Sequence, residues 1–239
     1  MYEIKNRVSY SQVGMDLKVN MAMIAQYLQD CTLFHSEDVG KGLRDVEINK
    51  KAWFLSSWQI EVSRYPEFKE EITIRTWPYD FKSMYGYRNF DILDAQGNEI
   101  VRANSIWIFM DLEKMLPTKL TEQDIEAYKL SPALDMEYTA RKIKLLGEEC
   151  LLAEYKDVSP VVVKESFLDS NHHVNNGRYV TVAMDYIPSN LLIKQMRVDY
   201  RKAATLGDVM YPKVMAKDEI YQVAFLDEKG NPFVIVEVL

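Results

Sequence analysis

Leu168-Asp169-Ser170-Asn171-His172-His173-Val174-Asn175-Asn176-Gly177-Arg178-Tyr179 decides how this chain is read. It spaces a carboxylate, a carboxamide and an imidazole two residues apart, ahead of a segment with helical periodicity. Val180, Ala183, Met184 and Ile187 recur at i, i+3, i+4 and i+7 before Pro188, which predicts a helix capped by Asn175 or Asn176. An extended run before that helix puts Asp169, Asn171 and His173 on one face, because side chains alternate along a strand. The helix start at Val174, Asn175 and Asn176 then offers free N–H groups and a positive dipole end to a polarised carbonyl oxygen. His172 falls on the opposite face and reads as a surface or structural residue. The same residue types also serve structure alone, since Asp and Asn cap turns and His satisfies nearby carbonyls.

Moving outward, the polar run proves to be one half of a repeat. Lys18-Val19-Asn20 opens an earlier helix with the stripe Met21, Ile24, Ala25, Leu28 and Cys31 or Thr32, as His173-Val174-Asn175 opens the later one. On that first helix Cys31 reads as core and His35 as an exposed helix end. Gln59-Ile60-Glu61-Val62 pairs with Gln195-Met196-Arg197-Val198, and the turn Asp94-Ala95-Gln96-Gly97-Asn98 with Asp227-Glu228-Lys229-Gly230-Asn231. Each copy reads as a lead-in strand, one helix and an antiparallel meander, with strands at Trp53–Arg64, Glu71–Trp77, Gly86–Leu93 and Glu99–Met110 in the first. The second runs through Val158–Phe167, Ile193–Lys202, Asp208–Ala216, Glu219–Leu226 and Phe233–Leu239. The fold class is therefore α+β, two curled antiparallel sheets each wrapped around a central helix. The copies fall at residues 1–112 and 158–239, with 113–157 a connecting segment that crosses the molecule. Where the second copy has Asp169, Asn171 and His173, the first has Gly14, Asp16 and Lys18, so the fold does not demand the polar set.

A net charge of −7 argues against a general nucleic-acid binder. Cys31 and Cys150 are far apart, which fits a reduced, cytoplasmic protein better than a disulfide framework. No signal-like start and no long apolar run points to a membrane. Adjacent His172 and His173 make a poor metal pair, so no metal is expected.

With these residues in view, the chain resembles the acyl-[acyl-carrier-protein] thioesterase family, the plant plastid enzymes and their bacterial relatives. The likeness runs through Tyr10-Ser11-Gln12-Val13-Gly14, Trp58 to Pro66, Ala103-Asn104-Ser105-Ile106-Trp107, Asp169 to Asn176 and Val198-Asp199-Tyr200-Arg201-Lys202. It implies a tandem double hotdog that hydrolyses fatty acyl thioesters on acyl-carrier protein, with no cofactor. It also implies that Asp169, Asn171 and His173 are catalytic, and that the first copy shapes the acyl pocket, to which Trp58, Met84 and Trp107 are assigned. Since the duplication supplies the pairing that single-copy relatives obtain by dimerising, a monomer or a homodimer is expected.

One departure matters. Where the plant enzymes follow Tyr-Arg-Arg with Glu-Cys, this chain has Tyr200-Arg201-Lys202-Ala203-Ala204. The carboxylate that assists the histidine and the thiol once proposed as nucleophile are both gone, and Asp199 is the nearest substitute along the strand. Two other readings follow: acyl-CoA hydrolysis, since both substrates carry a phosphopantetheine thioester, and acyl-thioester binding without hydrolysis.

Overall fold

The computed structural model describes residues 1–239 and divides into two compact units, Met1–Thr139 and Ala140–Leu239. In the first, β1 (Tyr2–Arg7), β2 (Lys51–Val62), β3 (Glu71–Lys82), β4 (Tyr85–Leu93) and β5 (Glu99–Asp111) form an antiparallel sheet in the order β1-β3-β4-β5-β2. The two-residue β6 (Leu116–Pro117) extends it beside β5. The sheet curls against α1 (Met21–Asp38), whose Ile24, Leu28 and Cys31 are fully buried. Asn20 starts that helix by accepting the Met23 N–H at 2.9 Å, the N-cap geometry expected of an amide side chain. Two short helices complete the unit, α2 (Leu43–Asn49) and α3 (Glu122–Ile125).

The second unit repeats the plan more briefly. After β7 (Val161–Val162) come α4 (Asn176–Met184), β8 (Gln195–Tyr200), β9 (Val209–Lys217), β10 (Ile220–Leu226) and β11 (Pro232–Val238), in the sheet order β8-β11-β10-β9-β7. The expected strand over Val158–Phe167 shrinks to two residues, because the chain turns into a 3-10 helix at Glu165–Phe167. The same 3-10 turn stands at Tyr10–Gln12 in the first unit, so this shape belongs to the repeat.

Strand register fixes which residues of the two copies correspond. The Asp94 and Asp227 turns close identically: each Asp N–H donates to the Asn carbonyl four residues on, and Gly97 and Gly230 take φ of +83° and +80°. Counting along the ladders from these turns, Val62 opposite Val101 corresponds to Tyr200 opposite Val234. Gln59-Ile60-Glu61-Val62 thus matches Arg197-Val198-Asp199-Tyr200, two residues beyond the pairing read from the letters. A slip of two preserves which side chains face the core, so the alternation alone cannot detect it.

Residues 113–157 are not a separate body; the unit boundary falls inside them, at Thr139/Ala140. The part before it is held by one transverse row of side chains on the sheet face away from α1. Trp77 donates to the Pro132 carbonyl at 2.8 Å, and Asn89 accepts from the Leu134 N–H at 3.0 Å. Gln59 donates to the Glu137 carbonyl at 2.7 Å and accepts from the Thr139 N–H at 3.0 Å. In the second unit Gln222 holds Lys144 and Leu146, Arg197 holds Ala140, and Asp199 accepts from Ile143 at 3.1 Å. Beneath that strap Ile143 packs on Met215, Ala224, Leu226 and Ile235. Buried amides placed mid-strand are explained by this duty, since each satisfies a backbone with no ladder of its own.

His35 is not an exposed helix end. It is 7% exposed, stacked on Tyr2 at 5.0 Å and edge-on to Tyr128, and its Nδ1 lies 2.8 Å from Nη1 of the buried Arg88. Burial first, and the Arg88 charge second, push its pKa from 6.5 down to about 4. Between those values the unfolded chain binds a proton that the folded one refuses, so stability falls as pH falls through that window. At pH 4.5 the wild type should lose about 2 kcal/mol more, relative to pH 7.5, than His35→Gln, which keeps an acceptor for Arg88. Urea unfolding at both pH values measures this, and parallel losses in the two proteins would refute it.

Candidate active site

The polar run is not extended. Between Leu168 and Val174, which form an isolated antiparallel bridge, the chain closes a five-residue loop. The Asp169 N–H donates to the His173 carbonyl at 2.8 Å, the His172 N–H to the Asp169 carbonyl at 3.1 Å, and His172 adopts φ +60°. The side chain of Asp169 reinforces the turn: Oδ1 accepts the Asn171 N–H at 2.8 Å and the His173 N–H at 3.4 Å. Asp169 and His173 are half-buried, while Asn171 and His172 are exposed. Strand alternation therefore does not set the directions of Asp169, Asn171 and His173. A tight turn places the three residues in one five-residue loop.

The first unit contains the same loop without the chemistry. Val13 bridges Val19, the Gly14 N–H donates to the Lys18 carbonyl at 2.9 Å, and the Leu17 N–H to the Gly14 carbonyl at 3.0 Å. Leu17 takes φ +61°, the counterpart of His172, and Asp16 Oδ1 accepts the Lys18 N–H at 3.1 Å. Lys18, where His173 stands in the other copy, pairs with Glu67 on the surface. One backbone shape thus carries Gly14, Asp16 and Lys18 in one unit and Asp169, Asn171 and His173 in the other.

At the start of α4, Asn175 is the N-cap and accepts the Gly177 N–H at 2.9 Å. Two of the three amides expected to face a carbonyl oxygen are already used. Val174 donates to the Ala204 carbonyl and Asn175 to the Phe167 carbonyl, each at 2.9 Å. That corrects the assignment of Val174 and Asn175, and leaves Asn176, the first helical residue, as the member of the set whose amide no loop carbonyl takes. Arg178 was not anticipated from the sequence. Its guanidinium lies 5.2 Å from the Phe167 ring centre and donates to the Ser166 carbonyl at 3.2 Å, clasping the turn before the loop to the helix after it. The cue was its spacing from Asn175 within the first turn of the helix.

Asp199 does not replace the missing carboxylate beside Ala203. It projects to the strap side of β8, opposite the face on which Tyr200 meets Tyr179 of α4, and it is engaged by Arg201 at 2.8 Å and by the Ile143 amide. Ala203 itself is exposed beyond the end of β8. In the first unit Trp58 is 2% exposed, packed at 5.0 Å on Phe90, and Trp107 is 7% exposed with its indole N–H on Ser105 at 2.7 Å. Met84 sits half-buried in the β3–β4 turn, its carbonyl accepting the Phe109 N–H. No three His, Cys, Asp or Glu side chains cluster as metal ligands.

Two helix-bearing curled sheets with a single polar loop define a tandem double hotdog protein. Residues 1–128 match the acyl-ACP thioesterase N-terminal domain and residues 153–231 the acyl-ACP thioesterase C-terminal domain, and the chain belongs to the acyl-ACP thioesterase family. It is 25% identical over 205 residues to a chloroplastic acyl-[acyl-carrier-protein] hydrolase of Cuphea viscosissima, covering 80% of this chain and 49% of that one. With a chloroplastic oleoyl-acyl carrier protein thioesterase of Arabidopsis thaliana it shares 24% identity over 92% of this chain and 65% of that one. The chain thus spans about half to two thirds of the length of these curated relatives. Among solved structures, an acyl-ACP thioesterase of Bacteroides thetaiotaomicron superposes with a TM-score of 0.88 at 23% identity, over 99% of this chain and 96% of that one. The 12:0-ACP thioesterase of Umbellularia californica gives 0.85 at 18% identity, over 99% and 95%.

The Asx-type turn separates two roles of Asp169. Asp169→Asn keeps an oxygen for the Asn171 and His173 amides and should leave unfolding free energy within about 0.5 kcal/mol, whereas Asp169→Ala should cost about 1 kcal/mol. Equal destabilisation by both would mean the charge, not the turn bond, holds the loop.

Proposed function

We propose that this protein hydrolyses fatty acyl thioesters carried on acyl-carrier protein, releasing free fatty acid and ending chain elongation in fatty acid biosynthesis. The observation that carries this reading is the pair of loops closed by the same backbone hydrogen bonds, of which only the second bears a carboxylate, an amide and an imidazole together. A fold requirement would have put them in both. Family membership supports the substrate class, and the named relatives act on acyl-carrier protein.

Oδ1 of Asp169 is committed to the loop, and Oδ2 takes no hydrogen bond from the protein. In the proposed reaction that oxygen and His173 draw the proton from a water, whose oxygen attacks the thioester carbonyl carbon. Asn171, exposed at the loop tip, orients the water or the acyl group, and the Asn176 amide at the positive end of α4 meets the developing oxyanion. Collapse breaks the carbon–sulfur bond, and the thiolate of the phosphopantetheine arm takes up the proton. A thiolate is a good leaving group, so modest activation suffices. The two free thiols, Cys31 and Cys150, suit a reducing, cytoplasmic setting.

Ala203 favours a second reading. It puts no carboxylate where the plant enzymes have Glu, and Asp199 is turned to the opposite face of β8. A protein that binds acyl thioesters without cleaving them would tolerate this.

Turnover of a ladder of acyl-carrier-protein substrates, against acyl-CoA of the same chain lengths, separates the readings. Carrier-bound substrates should be hydrolysed with kcat/KM at least about tenfold higher than the CoA esters, and Asp169→Asn should lower kcat about a hundredfold or more. Faster turnover of the CoA esters would replace the carrier, and tight binding without release of fatty acid would leave a binding protein.

A further inference from the structure

Tyr179, on the first turns of α4, is 3% exposed, and its hydroxyl oxygen accepts the N–H of Ala204 at 3.0 Å. Ala204 is fully buried, and its carbonyl in turn accepts the Val174 N–H at 2.9 Å. Val174 closes the polar loop by bridging Leu168, and the next link inward is the bond from the Asp169 N–H to the His173 carbonyl. A chain of three backbone contacts therefore runs from one phenol to the residues that bear the carboxylate and the imidazole.

The first unit shows what the fold alone requires at these positions. There the Val19 N–H donates to the Pro66 carbonyl at 2.8 Å, so Pro66 stands where Ala204 does, and Ile24 stands where Tyr179 does. Proline has no N–H, and isoleucine has no acceptor. The buried donor and its acceptor appear together in the unit with the polar loop and disappear together in the other. Packing is satisfied by the Ile24 and Pro66 pair, so the phenol is an addition to the fold. Its oxygen, having accepted Ala204, still holds a proton to donate, and the charges of Asp208 and Asp169 lie close enough to reinforce the effect of burial in raising its pKa to about 12. Tyr200 braces the same spot: its ring meets Tyr179 edge-on at 6.1 Å, and its hydroxyl donates to the Asn176 carbonyl at 3.0 Å.

We propose that Tyr179 is a positioning residue for the polar loop, acting through the Ala204 N–H to fix where His173 stands relative to Asp169. It touches no reacting atom. The inference rests on the proposed hydrolase for its kinetic consequence, and on the geometry alone for its effect on the loop.

Three proteins test it: wild type, Tyr179→Phe, and Tyr179→Phe combined with Ala204→Pro, which removes the donor that the phenol satisfies. Tyr179→Phe should lower kcat about tenfold with KM within about twofold, and should speed amide exchange at Val174 and Asp169 about tenfold, because a buried N–H is left without a partner. Exchange at Val19 and Gly14, in the corresponding loop of the first unit, should not change. The double variant should recover both kcat and exchange protection. Unchanged exchange in Tyr179→Phe overturns the proposal whatever happens to kcat, since a loss of rate would then mean that the phenol meets the substrate. A folded double variant that recovers neither property overturns it too. If the double variant fails to fold, exchange in the single variant decides. A wild type that hydrolyses nothing removes the proposed function, while amide exchange still tests the loop.

Discussion

A short loop that must close on itself before a helix can begin is the constraint on which each copy depends. The chain leaves a 3-10 turn, forms one antiparallel bridge, and reverses through a residue at φ near +60° before the Asn cap. The bridging valine, Val19 or Val174, then ties this loop to the segment after a neighbouring strand, through Pro66 or Ala204. Because the closure is made by backbone bonds, the side chains of the loop are free to differ. That freedom lets one copy carry Met15 and Leu17 at exposed positions and the other carry Ser170 and His172. Leu17 at positive φ is the more strained of the two left-handed residues, since a bulky aliphatic side chain gains no local hydrogen bond there.

The other face of each sheet is governed by a different need. A strap without regular structure has backbone groups that no ladder satisfies, and the sheets answer with rows of polar side chains set among apolar neighbours. Asn89, Gln59 and Trp77 do this in the first unit, and Gln222, Arg197 and Asp199 in the second. The Asp199–Arg201 pair belongs to this strap face. One of its carboxylate oxygens is buried without a partner, a cost offset by the guanidinium and the Ile143 amide on the other oxygen. A carboxylate so committed cannot also serve the loop on the opposite face.

Division of labour between the two copies follows from these separate demands. The first keeps the larger core, with Trp58, Phe90 and Trp107 buried against the helix side of its sheet, and a buried arginine held by His35, Thr76 and the face of Tyr128. The second has a shorter helix, and around its start a set of polar contacts from Arg178, Tyr179 and Tyr200 beyond the Asn cap that both copies share; Ile24 and Pro66 in the first copy cannot make the Tyr179 contact. Precision in the second copy is concentrated where the carboxylate, amide and imidazole are displayed.

The sequence by itself determined the two copies, the Asn caps of both long helices, the Asp-to-Asn turns and the confinement of the polar set to one copy. These are local signals: a cap, a turn glycine and a 3.6-residue period act over a few residues and need no distant partner. Only the tertiary structure decided the loop geometry at Asp169–His173, because the choice between an extended run and a tight turn rests on a bridge and on Ala204, 30 positions after Val174. It also decided the two-residue shift in matching Gln59 to its counterpart, which the alternation of faces conceals, and the burial of His35, which depends on Arg88 and Tyr128 from distant elements. The use of Asp199 and of the Val174 and Asn175 amides belongs with these, for whether a polar group is free or already partnered is settled by whatever the folded chain brings against it.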